Sequence, residues 1–400
     1  MAELRPVAPP ERVAILDILR GGALFGVLAA NVDGIFSGGW FAAAGPAEHP
    51  ADVVARWFVR IFISGKAITL LTILFGLGFA VQLARADERG EDVRRMYVRR
   101  LLALLAIGLS HVALWWGDVT WNYAVVGFAL LLFRSRPPRA LLAWALAFVL
   151  VPPLVLALPG VSEALHGALP HPEAPAAWRT EFLAAIRGSD YGAVVSAHLR
   201  QLAYHMAMIV GWYPAWLLGR FLFGYYAGRR RLFDADGAAH LPLFRRLAAW
   251  GGVLGAAGSA TAWLLWVAMP ADRELTLPGR LVQIVAGEFS MLGLVGAYVG
   301  LAVVLAQRPA WRRLLLVVAP IGRMPLTVYL SQSLAATFVF YGWGLGLGGR
   351  VGAGACLAIS VAIFALQIAA CRLWLRRHRF GPVEWLWRSL AYGRRQPMRA

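Results

Sequence analysis

The chain has 400 residues, of which 60% are hydrophobic and only 15% charged, and its mean hydropathy is +0.62. Soluble domains carry about 25% charged residues, and the apolar residues here fall in runs near the length a helix needs to cross a bilayer, which excludes a soluble globular enzyme. The runs are continuous rather than alternating, which excludes a membrane β-barrel and leaves an all-α polytopic bundle.

The net charge of +18 is almost wholly arginine, Lys66 being the single lysine. It gathers at the ends of the apolar runs, where the basic bias of cytoplasmic loops accounts for it without nucleic acid. Cys356 and Cys371 fall on one predicted helix about 22 Å apart at about 1.5 Å per residue, too far to bridge. The bilayer is therefore the one partner that composition itself implies.

In chain order, ten spans are predicted, at roughly 14–35, 64–84, 98–117, 120–134, 139–158, 203–227, 247–268, 281–306, 314–340 and 352–374. Asp17 and Arg20 inside the first run argue against a cleaved signal peptide. Arg-rich segments (Arg85–Arg100, Arg134–Arg139, Arg229–Arg246, Arg308–Arg313 and Arg372–Arg399) alternate with segments richer in Gly, Pro, Ala and acids (36–52, 159–197, 270–280, 341–351). That alternation places both termini in the cytoplasm of a multi-pass protein of the bacterial inner membrane. Val53–Ile63 carries Arg56 and Arg60 on one face, as an interfacial helix would. A short helix is expected near Ala176–Arg187 in the longest outer segment. Residues 1–377 read as the membrane domain, and 378–400 as a basic, aromatic cytoplasmic tail with an interfacial helix.

Polar residues inside the spans are the candidates for function. Asp17 and Arg20, at i and i+3, can pair, and Asn31 falls within about 40° of Asp17 on the same face, so one polar stripe climbs the first span. Gly22, Gly26 and Ala30 form a small-residue row on another face, suited to close packing. In the third span, Gly108, His111, Trp115 and Asp118 share a face with Arg100. His111 is the natural proton carrier. On a straight helix His111 and Asp118 stand about 10 Å apart, too far for a simple dyad.

Lys66 opens the second span. His198, Gln201 and His205 share a face at the start of the sixth, where Pro214 frees the carbonyl of Val210. Gln283 and Glu288 lie in the eighth. Together these residues suggest a hydrated cavity open to the outside. The histidines match no compact metal motif. Gly344, Gly346 and Gly349 spell G-x-G-x-x-G between two spans, with no strand before them, so this is not a dinucleotide site.

Four stretches carry a family resemblance. They are R-x-x-x-L-D-I-L-R-G-G-A-L-F-G-V-L-x-x-N from Arg12 to Asn31, RRLLALLAIGLSHVALWWGD followed by YAVVG from Arg99 to Gly127, IGRMPLTVYLSQSL from Ile321 to Leu334 with FYGWGLGL after it, and FGPVEWLWRSLAYGRRQPM from Phe380 to Met398. The chain resembles the YeiB-type bacterial membrane proteins, domain-of-unknown-function family 418, over nearly its whole length. Val328 departs from the asparagine common in that family's L-T-N-Y. The first-span motif is also similar to that of integral-membrane acyltransferases, including the heparan-glucosaminide acetyltransferase group, which move an acyl group from a cytoplasmic donor to an acceptor.

That resemblance implies a reading in which His111 is the base and Asp118 or Glu288 orients it. Arg20, Arg100 and Arg323 would bind the phosphates of a donor such as acyl-coenzyme A. Asp17, Asn31, Lys66, Trp115 and His205 are the further candidate substrate-binding residues, and the acceptor would be a lipid, glycan or small molecule. Intramembrane charges and a proline-kinked span equally suit a transporter or exporter of a small solute. A non-catalytic protein that binds lipid or a partner is the third reading. The acyltransfer reading expects the polar stripe of the first span to meet the His111 face of the third inside the bundle.

Overall fold

A computed structural model describes residues 13–39, 49–88, 93–161, 164, 175–209, 211–267 and 275–399. Arg12, Val210 and parts of the segments 36–52, 159–197 and 270–280 lie outside the described residues. Among the described residues the chain is all helical, with one isolated β-bridge between His378 and Arg399 and no strand.

The helices are α1 (Ala14–Asn31), α2 (Pro50–Phe58), α3 (Lys66–Glu88), α4 (Val93–Val112), α5 (Thr120–Gly127), α6 (Pro138–Leu156), α7 (Pro175–Arg187) and α8 (Tyr191–Ile209). They continue with α9 (Tyr213–Arg229), α10 (Leu241–Val267), α11 (Leu277–Ala306), α12 (Pro309–Leu315), α13 (Ala319–Arg323), α14 (Pro325–Phe340), α15 (Ala353–Leu375) and α16 (Pro382–Tyr392).

Among the described residues, five helical stretches are long and apolar enough to cross a membrane: Ala14–Phe36, Pro50–Ala84, Pro138–Leu156, Leu277–Ala306 and Ala353–Leu375. A sixth exists if Pro309–Arg323 and Pro325–Phe340, bent by 82° to one another, count as one. Length and composition thus support five or six of the ten spans expected. The reasons are local. The segment expected at 98–117 stops at Val112, and α4 begins among arginines. The run at 120–134 is a short helix extended by a 3-10 turn to Phe133. The run at 203–227 breaks between α8 and α9, next to Pro214. α10 is long enough at 27 residues, but glycine, serine, threonine and tryptophan dilute its apolar run.

α10 and α11 form a close hairpin in which Gly251 and Gly255 face Gly293, so that backbones meet without side chains between them. α3 packs on α9, and α9 on α6. The outer faces carry large apolar side chains such as Leu366 (72% exposed), Trp250 (66%) and Leu373 (60%). Apolar surface this extensive suits lipid rather than water, and the chain is a membrane protein.

α1 is the central helix, touching α3, α13, α14 and α15. Its close approach to α13 rests on two glycines. A Cβ on Gly21 would strike the Val318 carbonyl, and one on Gly322 would strike the Asp17 carbonyl. Gly21, not Gly22, is thus the contact glycine: Gly22 faces open space, while Gly26 does pack, on Ala67 and Ile63. Arg323, at the end of α13, lines the same cavity as Asp17 and Arg20.

Candidate functional site

α4 ends at Val112. The peptide N–H groups of Leu114 and Trp115 both donate to the His111 carbonyl, and the chain then turns back on itself. Asp118 is delivered to the start of α5, where its Oδ1 accepts from the Thr120 peptide N–H (2.8 Å), the Thr120 hydroxyl (2.7 Å) and the Trp121 peptide N–H (3.1 Å). This is helix capping by a carboxylate. Gly108 permits the fold-back, since a Cβ there would lie 2.5 Å from the Trp121 nitrogen and 2.6 Å from the Thr120 hydroxyl.

The free oxygen of that carboxylate meets the histidine. His111 Nδ1 lies 2.7 Å from Asp118 Oδ2, with both side chains buried. The straight-helix expectation of two separated groups is therefore corrected: the helix stops one residue after His111, and the turn closes the gap. Asp118 accepts the Nδ1 proton, which leaves Nε2 as the basic nitrogen. Nε2 has no hydrogen-bond partner among the described residues. The ring packs edge-on against Tyr329 (centroids 5.6 Å apart) and Trp115 (6.3 Å), and the Tyr329 hydroxyl accepts from the Val119 peptide N–H at 3.2 Å.

A cavity of about 400 Å³ lies on the far side of Thr120 and Tyr329 from this pair, and neither His111 nor Asp118 lines it. Val119, Thr120, Tyr123 and Tyr329 line its inner end. Leu24, Val27, Leu71, Phe75, Leu101 and Leu104 form an apolar sleeve. At the other end stand Asp17, Arg20, Gln82, Arg100, Arg323, Glu384 and Arg388. The polar groups therefore gather at the arginine-rich end, not at the opposite end as the sequence suggested. The stripe of the first span does reach toward the third, through Asp17, Arg20, Leu24 and Val27. Asn31 lies beyond the cavity, where α1 enters the packed core around Phe36, Trp115 and Phe340.

The charged end is organised by the carboxy-terminal segment. Glu384 accepts from the peptide N–H groups of Leu326 (2.6 Å) and Thr327 (3.0 Å) and from the Thr327 hydroxyl, capping α14. Burial pushes its carboxyl above the ordinary range, and those hydrogen bonds pull it back. The Arg100 guanidinium stacks 3.9 Å from the Trp387 ring, whose Nε1 donates to the Arg100 carbonyl (2.7 Å). Arg388 stacks on Phe380 at 4.5 Å. Arg20 pairs with Asp17 at 3.1 Å. Arg100, Arg323 and Arg388 have no hydrogen-bond acceptor among the described residues. The segment read as a separate interfacial tail is a wall of the cavity, packed on α4 and α14.

Other candidates lie elsewhere. Glu288 does not reach His111: its oxygens take Arg220 Nη2 (2.7 Å) and Trp216 Nε1 (2.9 Å), and the Arg220 guanidinium also lies 3.3 Å from the Trp216 ring centre. Lys66 is buried and donates to the Arg60 carbonyl at 3.3 Å, away from the cavity. Trp115 belongs to the His111 neighbourhood and packs tilted against Phe36, ring centroids 4.9 Å apart. His205 sits against Trp116 (5.2 Å) and His198 against the Tyr341 hydroxyl (3.1 Å), so neither lines the cavity. Sequence reasoning missed Arg220, Tyr329, Thr120 and Glu384. An arginine within the apolar run of α9 was the available signal for the first. Cys356 and Cys371 are both free and buried.

The fold and this site define a helical membrane protein with a cavity charged at one end and apolar along its length. The family model described as "Protein of unknown function (DUF418)" matches residues 227–394. The uncharacterised protein YxaH of Bacillus subtilis (strain 168) is 32% identical over 419 residues, covering 100% of this chain and 98% of its own. YeiB of Escherichia coli (strain K12), also uncharacterised, is 29% identical over 402 residues, covering 95% and 96%. An uncharacterised 39.9 kDa protein in the amylase 3′ region of Bacillus acidopullulyticus is 26% identical over 408 residues, covering 98% and 97%. The chain belongs to the DUF418 family.

Proposed function

We propose that this protein is a membrane-embedded acyltransferase, with His111 as its base, Asp118 as the group that orients it, and the arginine-lined end of the cavity as the donor's entrance. The observation that carries the reading is one continuous cavity running from unpartnered arginines to the residues that enclose a His–Asp pair. In this reading the chain crosses the bacterial inner membrane about ten times with both termini in the cytoplasm, as its alternating arginine-rich loops support. The arginine-rich mouth then faces the cytoplasm, where acyl-coenzyme A is the donor of matching charge.

Acyl transfer needs a base within hydrogen-bond reach of the acceptor and cationic groups for the donor's phosphates. His111 Nε2 takes the proton of an acceptor hydroxyl or amine as that atom attacks the thioester carbonyl. The C–S bond breaks, the thiolate leaves, and the imidazolium returns the proton to sulfur. Asp118 stabilises the imidazolium and holds the tautomer. The Arg220–Glu288 pair takes no part in these steps. It ties α9 to α11.

The test is transfer of label from an acyl-coenzyme A to a lipid, glycan or small-molecule acceptor by purified protein in lipid, beside His111→Gln. Transfer by the parent and loss in the variant, with equal yield and folding, supports the reading. No transfer from any acyl donor overturns it. The transporter reading would then be tested by solute flux across the same vesicles.

A further inference from the structure

We infer that the cavity selects a single-chain amphiphile, an apolar chain joined to a phosphate-bearing head, and that α16 supplies part of the head-group site. The inference rests on the cavity alone and not on the acyltransfer reading: a chain lying in the sleeve with its head among the arginines keeps its carboxyl end at the charged mouth, away from His111.

Two features of the cavity point this way. The first is charge. Arg20, Arg100, Arg323 and Arg388 converge on one end, against Asp17 and Glu384. Asp17 is spent on Arg20, and Glu384 has its oxygens occupied by Leu326 and Thr327. Three guanidiniums are left without an acceptor among the described residues. Trp387 and Phe380 hold two of them by stacking, so the forks are placed before any ligand arrives. Planar forks fixed in this way suit phosphate oxygens.

The second feature is the sleeve. Between the arginines and Tyr329 the wall is leucine, valine, isoleucine and phenylalanine. A two-carbon acyl group would leave most of that wall uncovered. A longer chain fills it, and each added methylene tightens binding about fourfold. The chain end then reaches the Tyr123–Tyr329 floor. Arg388 and Trp387, from the last helix, line the opposite end, so the carboxy-terminal segment is part of the binding site as well as a support for α14.

The experiment is equilibrium binding of radiolabelled dodecanoyl-coenzyme A to the full chain in phosphatidylcholine nanodiscs. Its competitors are acetyl-coenzyme A, coenzyme A, dodecyl phosphate and dodecanol. Dodecanoyl-coenzyme A is expected to bind at least about 100-fold tighter than acetyl-coenzyme A, and dodecanol is expected not to compete. Dodecyl phosphate matching the thioester would assign the head to a lipid phosphate, and a much weaker dodecyl phosphate would assign it to the nucleotide. Arg388→Ala should weaken binding at least tenfold. Arg323→Ala, at an exposed position that folding tolerates, should do the same, and Arg308→Ala, at an exposed position outside the cavity, should leave binding unchanged. Equal affinity for the acetyl and dodecanoyl donors, or unchanged binding in a folded Arg323→Ala, overturns the inference. Transfer of short acyl groups would leave the enzyme reading standing while this one fell. Chain-dependent binding without transfer would do the reverse.

Discussion

His111 Nδ1 and Asp118 Oδ2 are 2.7 Å apart, across seven residues of chain that a continuous helix would have stretched to separate them. The contact exists because α4 ends at Val112 and Asp118 caps α5 with its other oxygen. One carboxylate thus performs two tasks, and they are separable. Asp118→Asn keeps an acceptor oxygen for the Thr120 and Trp121 donors but presents the wrong partner to Nδ1. Acyl transfer is expected to fall about 10³- to 10⁴-fold with little change in melting temperature. Asp118→Ala should lose the cap as well, lowering stability by about 1 kcal/mol.

Gly108 tests the same turn from the other side. Gly108→Ala places a Cβ where the Trp121 nitrogen and Thr120 hydroxyl now sit. Backbone must shift to admit it, at a cost of about 1–3 kcal/mol, and the shift should pull Asp118 from His111. Thermal unfolding in detergent, run beside the transfer assay, should show both losses together.

Arg220 and Glu288 are predicted to matter for folding alone. Arg220→Met leaves a buried carboxylate unpaired and should cost about 3–5 kcal/mol. Adding Glu288→Gln removes that charge, so the double variant should melt above the Arg220→Met single. Additive losses would mean that the two side chains are not coupled.

Glu384 holds the carboxy-terminal helix to the bundle. Glu384→Ala removes the cap of α14 and the acceptor for Thr327. A loss of about 1 kcal/mol in docking should raise the rate of tryptic cleavage at Arg388 about fivefold, if cleavage tracks the undocked population. Burial raises this carboxyl in the docked state. The docked state therefore holds its proton more firmly than the undocked one. Protection should weaken as pH climbs from about 4.3 through the raised value. Glu384→Gln should flatten that dependence.

The helical class, the membrane setting and the family were legible in the sequence because long apolar runs and contiguous motifs are local signals. Asp17, Arg20, Arg100 and Arg323 stand out in the sequence as charges in apolar surroundings, and the structure places them on one cavity. The His111–Asp118 contact was not legible, because helical spacing assumes a helix that continues, and this one stops. Glu288 was misplaced because its partner, Arg220, lies 68 residues away and pairing at that range follows from packing. The role of α16 was hidden for the same reason: Glu384 reaches Thr327 across 57 residues. Gly21 rather than Gly22 makes the α1–α13 contact because a one-residue step is about 100° around a helix; of the row chosen by spacing, Gly22 faces open space while Gly26 packs on Ala67.

The central claim is that the apolar chain of an amphiphile lies in the sleeve with its phosphate-bearing head among the arginines. A dodecanoyl donor bearing a photoreactive diazirine at the chain end tests it most directly, with peptide mapping after illumination in lipid. The account predicts adducts on Thr120, Tyr123 or Tyr329, competed by dodecyl phosphate and lost in Arg100→Ala. Adducts confined to outward-facing residues such as Leu366 and Leu373, unaffected by competitor, would contradict it.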